Sequence, residues 1–503
     1  MRVTVLLWST RRFSQRSVGF TKRRPSTLEN SNVLIGIDSL HRTNRRYLNV
    51  RGSADFSLGR RSEVAMVLWI GVDDTDSLQG MCTTFLAAEI VRELTEDYDL
   101  IGFPRLVRLN PNVPWKTRGN GAICLRFGRG TGRRNLIGEL ESQPVWSFAR
   151  AEGVDDPERV QSRIANLVER RSEFREPTTN PGFCILSKQP AATLYWKAVR
   201  RIVSKEEALA AVRSPGVLRE YKNGRGIIGS LAAAAWRPHD RTYEVLCYRD
   251  ESRWRTPRLL ESGSVRYMDR TFTSTFNNYD YECNRIVIAP HSPCPILFGI
   301  RGDDPGVLPS AMRTIKGEPA AGWMVFETNQ GTDDHVIPGQ AVEPKTTVQV
   351  EREVSGRPRS IRGGHVVVEL NDLEAAAYEP SKGFRTVVRA LRPGDRVRVV
   401  GSIRDQPRTL NIEKLQVLSL SEESHKLANP LCFKCQKRAK SMGRKAGFRC
   451  ARCGQRFPAS SAITEHVSRP LEPGWYEPPV GSRRHLSKPL SRRPARSGRL
   501  GAA

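Results

Sequence analysis

The chain has no stretch approaching the roughly eighteen consecutive apolar residues that a bilayer span needs, because charged residues interrupt every hydrophobic run. This argues against a membrane-spanning helix and for a soluble protein. Acidic residues are scarce: 53 Asp and Glu face 81 Lys and Arg, a formal charge of +28 with a pI near 10.2. That balance is foreign to a typical metabolic enzyme and points to a polyanionic partner, since cations that neutralise phosphates release condensed counterions. The Gly-Lys-Ser/Thr signature of a Walker loop is missing, so any nucleotide site must be built another way. The ten cysteines also lack the spacing of a disulfide framework: four form two tight C-x-x-C knuckles and six are scattered singly. Metal ligation in a reducing cytoplasm is the expectation.

At 503 residues the chain is too long for one ordinary core, and two to four domains are expected. Residues 1–65 hold 13 Arg or Lys against 4 Asp or Glu and show no sustained periodicity. They read as a basic N-terminal extension outside the core, either an organelle transit peptide or, better, the product of a misassigned start, because Met66 directly precedes a well-formed strand. The rest of the chain still carries about +19, so nucleic acid remains the partner class.

From Met66 the pattern is that of a folded α/β protein. An apolar strand, Val67 to Val72, leads into an acidic turn and then a helix with Leu86, Ala87, Ile90, Val91 and Leu94 on one face. Strand patterns such as LVRLN, AICLRF, YEVLCY and RIVIAP then alternate with helix-like stretches such as EEALAAVR and GSLAAAAW. Between about residues 345 and 420 the rhythm changes to short strands with turn signals every eight to twelve residues, as in a small β-barrel. Its PGDRVRVVGSI segment is what an oligonucleotide-binding barrel commonly looks like. A cysteine module follows at 425–468, then a Pro-, Arg- and Ser-rich tail, 469–503, without a visible core pattern.

Cys432-x-x-Cys435 and, fourteen residues on, Cys450-x-x-Cys453 supply the four soft ligands of a tetrahedral zinc with no position left for substrate, so the zinc is structural. The basic residues around the knuckles, with Phe433 and Phe448 interleaved, suit single-stranded RNA, although Phe448 reads better as the module's small core. Asp73, Asp74 and Asp76 repel one another at the end of the first strand unless a cation sits among them, and magnesium on a nucleotide phosphate meets that need better than a solvated turn does. Thr83 and Thr84 open the following helix, where backbone amides can hold phosphate oxygens. Lys116, Arg118, Gly119 and Gly121 put two cations and two glycines in one loop, suited to phosphate approach. The loop Asn223 to Gly229 either serves the same ligand or caps a helix, and the three prolines around Cys294 form either a pocket wall or a rigid structural turn.

Taken in order, IGVDDTDSLQGMCTTFLA, the block from Ile101 to Ala122, TNPG at Thr179 to Gly182, GRGIIGSLAA, HSPCPILFGIRG, GGHVVVEL, GDRVRVVGSI, the four-cysteine module and PPVGSRRHLSKPL resemble the archaeal tRNA-isoleucine 2-agmatinylcytidine synthetases over about Met66 to Leu490. The resemblance implies a multidomain α+β chain: a family-specific α/β catalytic domain (66–190), a ferredoxin-like domain with the remaining catalytic region (191–344), an OB-fold β-barrel (345–420) and a zinc ribbon (425–468). It implies a ligase that joins agmatine to the 2-carbonyl carbon of the wobble cytidine of the CAU-anticodon isoleucine tRNA, with ATP cleaved to AMP and two phosphates. Phosphorylating the carbonyl oxygen creates the leaving group that the amine displaces. By position Asp73, Asp74 and Asp76 would hold magnesium and polarise the γ-phosphate, Thr83 would be autophosphorylated, Lys116 and Arg118 would contact the triphosphate, and Gly226, Gly229 and Cys294 would lie near agmatine. Barrel and ribbon would hold the tRNA while the target base leaves its stack. A magnesium-dependent phosphohydrolase or nuclease, and a non-catalytic RNA-binding scaffold, are the alternatives.

Overall fold

The computed structural model describes residues 46–49, 67–153, 157–213, 216–339, 342–422 and 424–493. The N-terminal extension lies outside them, apart from Arg46–Asn49, which pairs antiparallel with the strand Gly216–Glu220 at one edge of the main sheet.

That sheet has twelve strands. Inward from the same edge come Gly216–Glu220, Gly182–Leu186, Leu68–Asp73, Gly121–Leu140 and Arg105–Arg108, then Gly322–Thr328, Thr242–Tyr248, Ile296–Gly302 and Thr275–Phe276. Gly322–Thr328 joins the two halves. It runs parallel to Arg105–Arg108 at its end, antiparallel to Thr242–Tyr248 along its length, and is buried at every position. The two regions that the sequence suggested share one continuous sheet.

Period two in the central strand sorts its residues. Leu68, Ile70 and Val72 face the helices Thr83–Leu94 and Pro157–Arg171 in one core. Trp69, Gly71 and Asp73 face the other side, where the helix Gly226–Ala235 packs with Ala192–Arg200. Seven of the ten residues of Gly226–Ala235 are Gly, Ala or Ser, and that composition sets its depth. A Cβ on Gly71 would run into the Ser230 carbonyl, and one on Gly226 into the backbone of Gly182. Only glycine permits this approach.

RIVIAP departs from its expected strand: only Arg285–Ile286 pairs, with Tyr279–Asp280, while Ile288 turns into the core. The run is apolar because it packs and lines a cleft, not because it extends a sheet.

The second sheet follows the order Val336–Pro338, Thr347–Glu353, Arg396–Ile403, Thr409–Ser419, Leu373–Ala377, His365–Leu370 and Arg359–Ile361 around its own apolar core. The strand Arg396–Ile403 shifts register between Val400 and Gly401, the bend expected from its internal glycine. Among the described residues the ladder is an open path, with no pairing between its two end strands.

The cysteine module carries three short strands, with Phe448 buried at its centre and Phe433 63% exposed. The segment after Arg469 corrects the sequence reading. Gly474–Tyr476 adds a strand to Thr409–Ser419, Leu486 is buried in the core around the helix Gly226–Ala235, and Arg492 and Lys488 bond Asp240. Its low apolar content hid this, because it is held by charges and backbone rather than by a hydrophobic stripe. No described helix is long and apolar enough to cross a membrane.

Candidate functional site

The acidic turn is built where the central strand ends. Asp74 sits at φ 56°, a left-handed conformation that costs energy in a residue with a Cβ and persists only where neighbours fix it. They do: Asn180 N–H donates to the Asp74 carbonyl at 3.1 Å, and the Thr179 hydroxyl donates to the Asp76 carbonyl at 2.8 Å. The TNPG loop thus locks the turn.

Each carboxylate then meets a different environment. Arg225 donates to Asp74 Oδ2 from Nε and Nη2, at 3.1 and 3.0 Å. Arg118 lies 2.9 Å from Asp76 Oδ1, which also accepts from Thr83 N–H at 2.8 Å and from the Thr83 hydroxyl at 3.1 Å. Neither arginine is bonded to Asp73, which lies against Gly229. Burial, reinforced by Asp74 and Asp76, pushes the Asp73 carboxyl well above the ordinary range. Burial also pushes Asp74 up to about 6 against the pull of Arg225. Asp76 is buried too, but Arg118 and then Thr83 outweigh that and hold it below the usual value. Asp76 is therefore held as a carboxylate by its neighbours, Asp74 is paired with Arg225, and Asp73 has no cation bonded to it among the described residues.

Two pockets open from this centre. The first is lined by the three aspartates with Lys116, Thr117, Arg225 and Gly229. The second, about 440 Å³, is lined by Arg108, Glu244, Cys294, Arg301 and the segment Arg483 to His485. Asp76, Thr83, Arg118 and Gly121 line both, so the Arg118–Asp76–Thr83 group stands at their junction. The Thr83 hydroxyl there also accepts a hydrogen bond from Thr75 at 3.0 Å.

The residues singled out from sequence fall unevenly on this geometry. Asp73, Asp74, Asp76, Thr83 and Arg118 come together. Lys116 lies at the first pocket, its ammonium donating to the Val113 carbonyl. Gly119 and Gly121 make room for Arg108, whose guanidinium a Cβ at either position would strike. Gly229 lines the first pocket and Cys294 the second, while Gly226 lines neither and packs on Gly182. Sequence reasoning gave no role to Arg108, Glu244, Arg301 or His485, and held Arg225 only as part of a loop that either serves the ligand or caps a helix. Arg225 and His485 lay inside conspicuous blocks, but only folding brings them to the aspartates.

The four cysteine Sγ atoms of the C-terminal module all lie within 4.8 Å of one another, a spacing that fits one tetrahedral ion.

Comparison with known proteins agrees with this architecture. Residues 69–223 match the model of the TiaS TCKD domain, 224–335 that of the TiaS FLD domain, and 429–471 that of the TiaS C-terminal zinc ribbon domain. TiaS of Methanocaldococcus jannaschii, the 2-agmatinylcytidine synthetase of the isoleucine-2 tRNA, is 38% identical over 440 residues, covering 84% of this chain and 98% of the relative. That of Archaeoglobus fulgidus is 38% identical over 444 residues, covering 85% and 98%. A crystal structure of TiaS in complex with the isoleucine-2 tRNA and ATP superposes with a TM-score of 0.73 at 36% identity, covering 86% of this chain and 98% of that one. A complex of TiaS with the same tRNA, AMPCPP and agmatine superposes at 0.71 and 34% identity, with the same coverage. Sheet, acidic turn, cysteine module and near full-length likeness converge: the chain belongs to the TiaS family, the 2-agmatinylcytidine synthetases of the isoleucine-2 tRNA.

Proposed function

We propose that this chain is a ligase that joins agmatine to the 2-carbonyl carbon of the wobble cytidine of the CAU-anticodon isoleucine tRNA, cleaving ATP to AMP and phosphate, so that AUA codons are read. The observation that carries this reading is the Arg118–Asp76–Thr83 group at the junction of two pockets, one rich in carboxylate and the other in arginine. A phosphoryl group held on one side can there meet a base and an amine on the other.

In this reading Asp73, Asp74 and Asp76 would hold a magnesium ion. The raised carboxyls of Asp73 and Asp74 support it, as does the lack, among the described residues, of an arginine bonded to Asp73. An ion held there would supply positive charge to offset that of the triphosphate. Lys116 and Arg118 contact the triphosphate, Gly119 and Gly121 keep that loop close to it, and Thr83 takes the phosphoryl group. Gly229 and Cys294 border the two pockets that agmatine and the base share, and Gly226 acts indirectly by seating the helix beneath. Residues 345–420 act as an OB-fold on the tRNA, and the cysteine module, with zinc structural, adds exposed Phe433 amid its basic residues. The ten free cysteines suit a reducing cytoplasm.

The test is incubation with isoleucine tRNA transcript, ATP, magnesium and labelled agmatine, followed by nucleoside mass spectrometry. Label at the wobble cytidine, lost when that base is changed, is expected. ATP cleavage without transfer would instead make the protein a phosphohydrolase, and neither activity would make it an RNA-binding scaffold.

A further inference from the structure

The second pocket contains a side chain that the chemistry of the acidic turn leaves unused. His485 belongs to the segment beyond the zinc ribbon. Gly331 N–H fixes it by donating to the His485 carbonyl at 2.8 Å, and Asp333 N–H by donating to the Leu486 carbonyl at 2.9 Å. The imidazole is exposed and lines the pocket. It lies against Gly119, where a Cβ would meet ring atom Cδ2 at 3.3 Å, directly after the arginine that bonds Asp76.

Its surroundings keep the ring neutral. Desolvation by the protein around it, then Arg108 and Arg301, hold it well below 6.5, so a lone pair is available at physiological pH. The pocket's carboxylates are already engaged: Asp76 with Arg118 and Thr83, Glu244 with Arg301 at 3.0 Å and with Gln330. Arg483 and Arg484, which precede His485 in the chain, pair with Glu477 and Glu413. Arg285, His291 and the thiols of Cys82 and Cys294 complete the charged or titratable rim. Arg108 differs from these cations: its Nε is buried without a hydrogen-bond partner, and among the described residues Glu244 and Asp76 act on it as charged neighbours without a salt bridge to it. A neutral proton acceptor therefore stands beside this cation.

Displacement at the activated cytidine carbon requires that combination. As the amine nitrogen bonds to C2, the C2–O bond to phosphate breaks and phosphate leaves with the electron pair. The attacking nitrogen, entering as the free amine, must shed a proton. We propose that His485 accepts that proton while Arg108 receives the departing phosphate oxygens. The proposal rests on the agmatine-transfer reading above.

The test compares His485→Gln and His485→Ala with the wild-type protein, measuring single-turnover agmatine transfer, ATP cleavage and tRNA affinity from about pH 6 to about pH 9. Transfer should fall roughly 10²- to 10⁴-fold, with ATP cleavage and tRNA affinity retained and the residual rate climbing with pH across the range. An agmatine analogue whose reacting amine is made less basic by a neighbouring fluorine should lose much less. Unchanged transfer would overturn the proposal, as would equal losses in ATP cleavage and tRNA binding, or a raised KM for agmatine with the wild-type pH profile. The same holds if His291→Gln, and not His485→Gln, produces the altered profile. A wild-type protein that transfers no agmatine would remove the functional reading itself.

Discussion

Gly229 and Asp73 touch where the helix Gly226–Ala235 meets the end of the central strand, so closely that a Cβ on Gly229 would occupy the position of the Asp73 carboxylate oxygen. The glycine's role is to leave that carboxylate room beside Asp74 and Asp76. Gly229→Ala should therefore displace Asp73 by about an ångström and lower ATP cleavage roughly a hundredfold. tRNA affinity should stay near wild type, and a filter-binding titration beside the ATPase assay separates the two effects. Undiminished ATP cleavage would mean that the position of Asp73 is immaterial.

Asp74 gives a pH-dependent prediction. Its folded-state pKa of about 6 lies above the ordinary 3.8, so the fold favours the protonated form. The stability this contributes is fully present below about pH 4 and is lost as pH rises through about 6. Asp74→Asn should raise the melting temperature of the magnesium-free protein at pH 7.5 by a few degrees, an effect on the order of 1–3 kcal/mol. The gain should vanish at pH 4, while ATP cleavage is abolished and tRNA affinity is nearly intact. Thermal melts across that window check the sign.

Cys435→Ser removes one of four clustered thiolates from a module in which, among the described residues, Phe448 is the buried aromatic ring. With so small a core the module depends on its metal for folding. Bound zinc, measured by atomic absorption, should be lost and tRNA binding weakened, while tRNA-independent ATP cleavage persists. Cleavage that fell with the zinc would place the ribbon in the catalytic centre.

Lys414 is 1% exposed and places its ammonium 2.7 and 2.6 Å from the two carboxylate oxygens of Asp333, joining the second sheet to the catalytic body. Asp333→Ala strands a buried cation and should cost about 3–5 kcal/mol. The double variant Asp333→Ala/Lys414→Met should recover most of that loss in urea unfolding. Absence of recovery would show that Asp333 acts mainly through its other partners, Arg493 and the Lys488 N–H.

Much of this protein follows from local sequence. The alternation in Leu68–Asp73, the apolar face from Leu86 to Leu94 and the four cysteines each encode their structure within a dozen or so residues, because strand period, helix period and ligand spacing are short-range properties. The three aspartates and Thr83 were legible for the same reason, lying on one strand–turn–helix. The tertiary structure alone decided what surrounds them. Arg225 reaches Asp74 from 151 positions away in the chain, and Arg118 reaches Asp76 across 42. His485 enters the cleft on a segment with no apolar stripe, carried there by Leu486 and by arginine pairs that no periodicity signals. Nor could sequence spacing reveal that Gly322–Thr328 links the strands of two regions into one sheet: a strand's partners are chosen by hydrogen bonding and burial across the whole fold, and the site forms where those long-range pairings meet.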